Sequence, residues 1–213
     1  MEIGKAFTYV FDDENWITKI LIGGILGIIP IVNCAVFGYM VETIRNVTQG
    51  MERPLPEWSE FGEKFVKGLM AFIIVLIYGI PLFLLSGCFS AARLAVVGVG
   101  GNQEALLTLM SIVQGCLALP YGLVIGFLSP AILLRYAVAG EFTSAFRFGE
   151  LFGLITGNLG NYIIALILTW VASAIAGFGL IACVVGVLFT GFWANLVMAH
   201  LYGQLHRASV ATA

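Results

Sequence analysis

The residues of this 213-residue chain that could do chemistry are few and scattered. Asp12, Asp13 and Glu14 form an acidic run that could hold a cation or a substrate amine, but the same run reads more simply as a helix cap and a solvated turn. His200 and His206 are six residues apart, not the i, i+4 spacing that sets two imidazoles on one helical face as metal ligands. A hydrogen-bonding role at the level of lipid headgroups suits them better. Cys34, Cys88, Cys116 and Cys183 stand in apolar stretches without C-x-x-C spacing and read as small buried residues. No G-x-S-x-G, H-E-x-x-H or phosphate loop occurs. The expectation is a protein that is not an enzyme, with no catalytic, cofactor or metal site.

The elements that carry these residues are set by composition. Sixty percent of the chain is hydrophobic and only 22 residues are charged (10 Lys+Arg and 12 Asp+Glu), about 10% against roughly a quarter in a soluble domain. That balance excludes a disordered tail, a coiled coil and a disulfide scaffold, and points to an integral membrane protein. A net charge of -2 leaves no footprint for nucleic acid.

A charge at the bilayer centre costs at least ~2.5 kcal/mol, so uncharged intervals mark candidate spans. Four are long: residues 20–41, 68–92, 105–134 and 151–206. A span needs about 20 residues, so the last holds two crossings, split at Gly177-Phe178-Gly179 and preceded by a break over 156–160. Residues 105–134 would reach about 45 Å as a straight helix, and Pro120 and Pro130 are expected to break it. The spans hold no Asp, Glu, Lys or Arg, which argues against an ion-coupled transporter. Asn33, Gln114 and Asn195 read as helix-to-helix hydrogen-bonding groups.

The distribution of Lys and Arg bears on the first interval. If residues 20–41 cross, seven basic residues lie on one side and Lys5, Lys19 and Arg93 on the other; if they turn back at Pro30, nine lie on one side and only Arg93 outside. The second division fits the positive-inside rule better. Gly23, Gly24, Pro30 and Asn33 also divide the stretch into a piece too short to cross, so a re-entrant hairpin is expected, with a Pro-kinked single span as the alternative. The first 16 residues carry no basic run before the apolar stretch, and both termini are expected in the cytoplasm of a multi-pass protein of the cell (inner or plasma) membrane.

Three segments of mixed charge carry an i, i+4 aromatic pair: Phe7 and Phe11, Phe61 and Phe65, Phe142 and Phe146. On a helix that spacing stacks both rings on one face, so three interfacial amphipathic helices are expected, with Trp16, Trp58 and Tyr162 as further interface anchors. In the loop after the expected hairpin, Gly50 is placed as a helix C′ residue, Pro54 and Pro56 extend the chain, and Glu57 and Glu60 favour the next helix N-terminus. Arg45, Asn46, Pro54, Pro56, Glu57, Arg135, Tyr136, His200, Gln204 and Arg207 form the expected cytoplasmic motif.

The N-terminal AF-x-Y-x-F-x-D with Trp16, the IGG and IPI-x-N of the hairpin, RNV-x-x-G followed by PLPEW, RYA-x-x-G-x-F-x-x-AF and the final HL-x-GQ-x-x-R occur in order. In these motifs the chain resembles an uncharacterised family of prokaryotic integral membrane proteins, domain-of-unknown-function family 4013. It departs from that pattern at Ser59-Glu60, where the acidic pair is weaker, and at His206, where an aromatic is usual. The resemblance implies a multi-span helical protein and no assigned activity.

The expected architecture is therefore all-α, a polytopic transmembrane bundle of about four spans plus an N-terminal re-entrant hairpin, forming one membrane domain over 1–213. Its parts are an interfacial helix (1–16), the Pro30 hairpin (17–49), a cytoplasmic loop with an interfacial helix (50–67), two spans (68–140), an interfacial helix (141–156), and two spans with a short tail (161–213). Its expected role is accessory, scaffolding or lipid-organising, with membrane lipids, itself or another membrane protein as partners. A channel or carrier for a small neutral or lipophilic solute is the alternative.

Overall fold

Apolar runs punctuated by Gly, Pro and Asn become helices throughout. The computed structural model describes residues 1–99 and 103–211, and among them there are eight α-helices and no strand. They are α1 (Ile3–Thr8), α2 (Trp16–Ile28), α3 (Cys34–Thr48), α4 (Phe61–Val99), α5 (Glu104–Ala139), α6 (Phe148–Gly157), α7 (Leu159–Gly177) and α8 (Cys183–Ala211). Short 3₁₀ turns stand at Tyr9–Asp12, Trp58–Glu60, Phe142–Phe146 and Phe178–Ala182. The expected breaks near 156–160 and 177–179 are both present, as the Asn158 junction and the turn after α7.

Three stretches among the described residues are long and apolar enough to cross a membrane: 58–98, 104–139 and 159–181. Pro120 and Pro130 do not break α5, which runs through both. Backbone groups freed by proline in an apolar helix can be re-satisfied locally, so the ring need not end the helix.

The chain forms two compact units. The first comprises 1–73 and 130–213, the second 74–129. The second is an antiparallel pair made by the later part of α4 and most of α5. The Tyr121 hydroxyl donates to the Tyr78 carbonyl (2.7 Å), and Arg93 donates to Ser111 Oγ (2.9 Å). Its outer surface is apolar, with Phe83, Leu84, Leu94, Leu109, Ile112, Leu119 and Leu123 all exposed.

The first unit is built around α8, which contacts α1, α2, α3, α6 and α7. Leu196, Val197, Leu201 and Leu205 are fully buried on it. Tyr162, Ala165, Ala172 and Ala176 form the buried stripe of α7, and small residues there let the helices close together. Thr190 of α8 donates across to the Ala176 carbonyl (2.8 Å).

The 13-residue α2 and the 15-residue α3 are separated at 29–33, as Pro30 and Asn33 suggest. Gly23 and Gly24, however, do not contribute to the break. Both lie inside α2 on its buried face, where a Cβ would meet the rings of Phe192 and Phe189 respectively. They are glycine because α8 presses aromatic rings onto the helix, which no local propensity reveals.

The aromatic pairs also depart from expectation. Only Phe61 and Phe65 share an α-helix. Phe7 lies on α1 against Trp193 (6.0 Å between ring centres), and Phe11 lies on the following 3₁₀ turn, edge-on to Trp16 (4.9 Å). Phe142 and Phe146 adjoin each other on a 3₁₀ turn (5.4 Å).

Candidate functional site

The polar residues of the first unit gather into two arrangements, a set of buried ion pairs and an open cleft. The buried set begins at the acidic run. Asp13 Oδ1 accepts from the Asn15 N–H (2.9 Å), forming the turn before α2, and its Oδ2 accepts from the Lys19 ammonium (2.8 Å). Lys19, only 3% exposed, also pairs with Glu57 (2.6 Å). Glu14 pairs instead with Arg53 (2.7 Å), and Asp12 is exposed, so the three acids serve different ends.

Above this group Trp58 stacks on Tyr39 (4.5 Å between ring centres), and its indole N–H donates to the Lys19 carbonyl (3.2 Å). Trp58 and Trp16 thus pack against the core of Tyr9, Tyr39, Leu55 and Phe192. Tyr162, also expected as an interface anchor, is fully buried. Lys64, 1% exposed, lies 3.2 Å from Glu42 Oε2, within ion-pair distance but not aligned for a hydrogen bond.

Most of the expected cytoplasmic motif holds the connecting loops. Gly50 takes φ +78° as the residue that ends α3, as its placement predicts. The Asn46 amide donates to the Pro54 carbonyl (2.9 Å), which tucks Pro54, Leu55 and Pro56 into buried positions. Tyr136 donates to the Lys67 carbonyl (2.9 Å), joining α5 to α4, and Arg135 pairs with Glu150. Arg45 is exposed and stands apart.

The remaining motif residues line a cleft of about 490 Å³ with Glu2, Lys5, Gly50, Met51 and Glu52. Gln204 is its clamp. Its Oε1 accepts from the Glu2 N–H (2.7 Å), which fixes the orientation of the amide, and its Nε2 donates to the Glu2 carbonyl (3.1 Å) and to His200 Nδ1 (3.0 Å). A ring nitrogen that accepts at Nδ1 carries its proton on Nε2. His200 is held flat against Tyr9 (4.3 Å between ring centres), and burial keeps the Tyr9 phenol well above its ordinary pKa while it donates to the Leu196 carbonyl (2.8 Å). His206 takes no part in this cluster. Burial first and the Arg135 charge second hold its pKa below the usual value.

Sequence reasoning did not single out Lys19 or Lys64 as buried residues, counting them only among the basic residues that bear on topology. A signal was available: each stands four residues before a buried glycine, Gly23 or Gly68, and so shares that glycine's buried face. Cys34 is buried as expected, Cys88 and Cys116 are exposed, and the side chain of Cys183 lies outside the described residues.

Among the described residues, an all-helical fold with three stretches of membrane-crossing length, and a polar cluster joining the terminal segments to the loops, is compatible with a helical membrane protein. The chain belongs to the family described as protein of unknown function (DUF4013), whose family model matches residues 22–185. The match includes the turn at 29–33, the PLPEW loop and the RYA segment; the AF-x-Y motif and the HL-x-GQ motif lie outside it. No curated protein and no solved structure matches the chain.

Proposed function

We propose that this is an integral membrane protein of accessory, scaffolding or lipid-organising type, acting through lipid contact rather than catalysis. The carrying observation is the outer face of α2. Ile17, Leu21, Ile25 and Ile28 recur along one side of it, all exposed, and Ile29 and Ile31 continue the apolar surface into the turn. Thirteen residues rise about 20 Å, less than the ~30 Å hydrocarbon core. Such a helix places its apolar face in one leaflet and returns, while α3, buried on most of its surface, fills the interior. With α4, α5, α7 and α8 as four crossings, this re-entrant hairpin puts both termini and nine of the ten basic residues on the cytoplasmic side. The hairpin displaces lipid from the cytoplasmic leaflet alone, which is the physical basis of a lipid-organising role.

Single cysteines at Thr8 and Thr48 test the topology. Both are expected to resist an impermeant thiol reagent added outside intact cells and to react after permeabilisation. Labelling of Thr8→Cys from outside, with Thr48→Cys protected, would overturn the hairpin in favour of a crossing. Spin labels at Ile25 and Ile28 are expected to report contact with acyl chains of one leaflet.

A further inference from the structure

Most charged side chains of the first unit are in ion pairs, and of those that are not, Asp12, Arg45 and Glu60 are exposed and lie outside the cleft. Asp13, Lys19 and Glu57, Glu14 and Arg53, Glu42 and Lys64, Glu63 and Lys67, and Arg135, Glu141, Arg147 and Glu150 are all in ion pairs. Glu2, Lys5, Glu52 and Arg207 all line the same cleft, yet they form no ion pair with one another. They come from three separate parts of the chain: the start of α1, the loop after α3 and the end of α8. The Gln204 clamp on the Glu2 backbone fixes the first against the third, and Gly50 brings the second within reach, since a Cβ on it would stand 3.9 Å from Arg207 Cζ.

Two cations and two anions held around one cleft, without neutralising each other, match a ligand that carries both signs. We propose that this cleft binds a small zwitterion joining a phosphate to a primary ammonium, the chemistry of an ethanolamine phosphate headgroup. Arg207 and Lys5 supply the charge for the phosphate, with the Nε2–H of His200 as a third, neutral donor. A planar guanidinium fork beside an ammonium suits phosphate oxygens. Glu2 and Glu52 take the ammonium.

The described lining holds no Phe, Tyr or Trp. A quaternary ammonium is recognised by aromatic faces, whereas a primary ammonium can donate to carboxylates, so ethanolamine is favoured over choline. A volume of about 490 Å³ holds such a headgroup with its glycerol. As a lipid site the proposal rests on the membrane reading above, but the same group is also carried by soluble glycerophosphoethanolamine.

The test uses the full chain purified in detergent and, separately, in phosphatidylcholine nanodiscs. Thermal unfolding is followed with glycerophosphoethanolamine, glycerophosphocholine or glycerophosphoglycerol in detergent, and with the corresponding lipids in the discs. The ethanolamine compound is expected to raise the unfolding temperature at concentrations about tenfold lower than the other two. A response to both soluble and lipid forms supports the site as a headgroup site open to either source. A response to the lipid alone supports it as a membrane site, and a response to the soluble form alone as a site for the free compound.

Arg207→Gln is expected to weaken the ethanolamine response about tenfold, and Glu52→Gln to abolish the preference for ethanolamine over glycerol. Both side chains are exposed, so the unliganded variants should unfold close to the parent temperature. Lys5→Gln provides a second cationic variant if Arg207→Gln is unstable. Equal shifts with all three headgroups, a preference for glycerol, or no shift at all would overturn the zwitterion site. None of these would disturb the hairpin, whose own test is the labelling at Thr8 and Thr48.

Discussion

Gly38 of α3 lies directly against the backbone carbonyl of Lys64 on α4, with no room between them for a side chain. One turn along, Gly68 meets the Cys34 carbonyl in the same way. The obstructing atoms are backbone and cannot rotate aside, unlike the ring of Phe192 that faces Gly23. Gly38→Ala and Gly68→Ala are therefore each expected to destabilise the protein by about 3 kcal/mol. Gly62, on the same helix with open space around it, should accept alanine at little cost. Unfolding temperatures in detergent check the contrast, and equal losses at Gly62 and Gly38 would remove the close crossing as the cause.

Lys19 is the centre of the buried polar group, and its two partners are not equivalent. Asp13 is nearly as buried as Lys19 itself, whereas Glu57 is 65% exposed. Lys19→Met leaves the Asp13 carboxylate buried without its cation and is expected to cost about 3 kcal/mol. Glu57→Gln leaves Lys19 paired with Asp13 and removes an interaction already screened by solvent, so its cost should stay under about 1 kcal/mol. Chemical unfolding of the two variants side by side measures the difference.

How far these features were legible in the residues depends on the distance over which each is determined. The junctions at Asn158, at 177–179 and at Pro30 are local, because Gly, Asn and Pro limit the backbone wherever they stand, and all three were legible. Gly23 and Gly24 use the same residue type for the opposite purpose, and the partners that explain them, Phe192 and Phe189, lie far along the chain. The polar cleft was legible only in part. His200, Gln204 and Arg207 stood out as one C-terminal motif, but Glu2, Lys5 and Glu52 join them only through the packing of α1 and α3 on α8.

Ile31 carries a further cost that packing does not recover. It has φ +71°, a backbone conformation that a β-branched residue rarely adopts, and its side chain is 73% exposed. In water such a residue would be replaced by glycine at a gain of about 1 kcal/mol. If the turn sits in the acyl region, as the hairpin places it, Ile31 also contributes apolar surface there. Ile31→Gly is therefore expected to raise the unfolding temperature in detergent, while weakening the contact of the turn with lipid that a nearby spin label reports. A loss of stability in detergent would show that the turn does not hold the strain ascribed to it.

His206, in the last turns of α8, links stability to pH. Burial, and then the charge of Arg135, depress its pKa from 6.5 in the folded protein, so the native state keeps the imidazole neutral where the unfolded chain takes up a proton. The stability tied to this group is present in full above about pH 6.5 and is lost as the pH falls from there through the lower folded value. Unfolding temperatures are thus expected to decline between pH 7 and pH 5. His206→Phe, which cannot take the proton, should flatten that part of the profile, and the Arg135 side chain should keep its ion pair with Glu150. Arg135→Gln in a chain that keeps His206 relieves the smaller of the two causes, so the folded pKa moves back up toward 6.5 and the loss of stability becomes smaller and ends at a higher pH. Since burial is the larger cause, Arg135→Gln is expected to narrow the pH window of the loss without abolishing it, and a profile in His206→Phe as steep as the parent's would assign the acid sensitivity to another group.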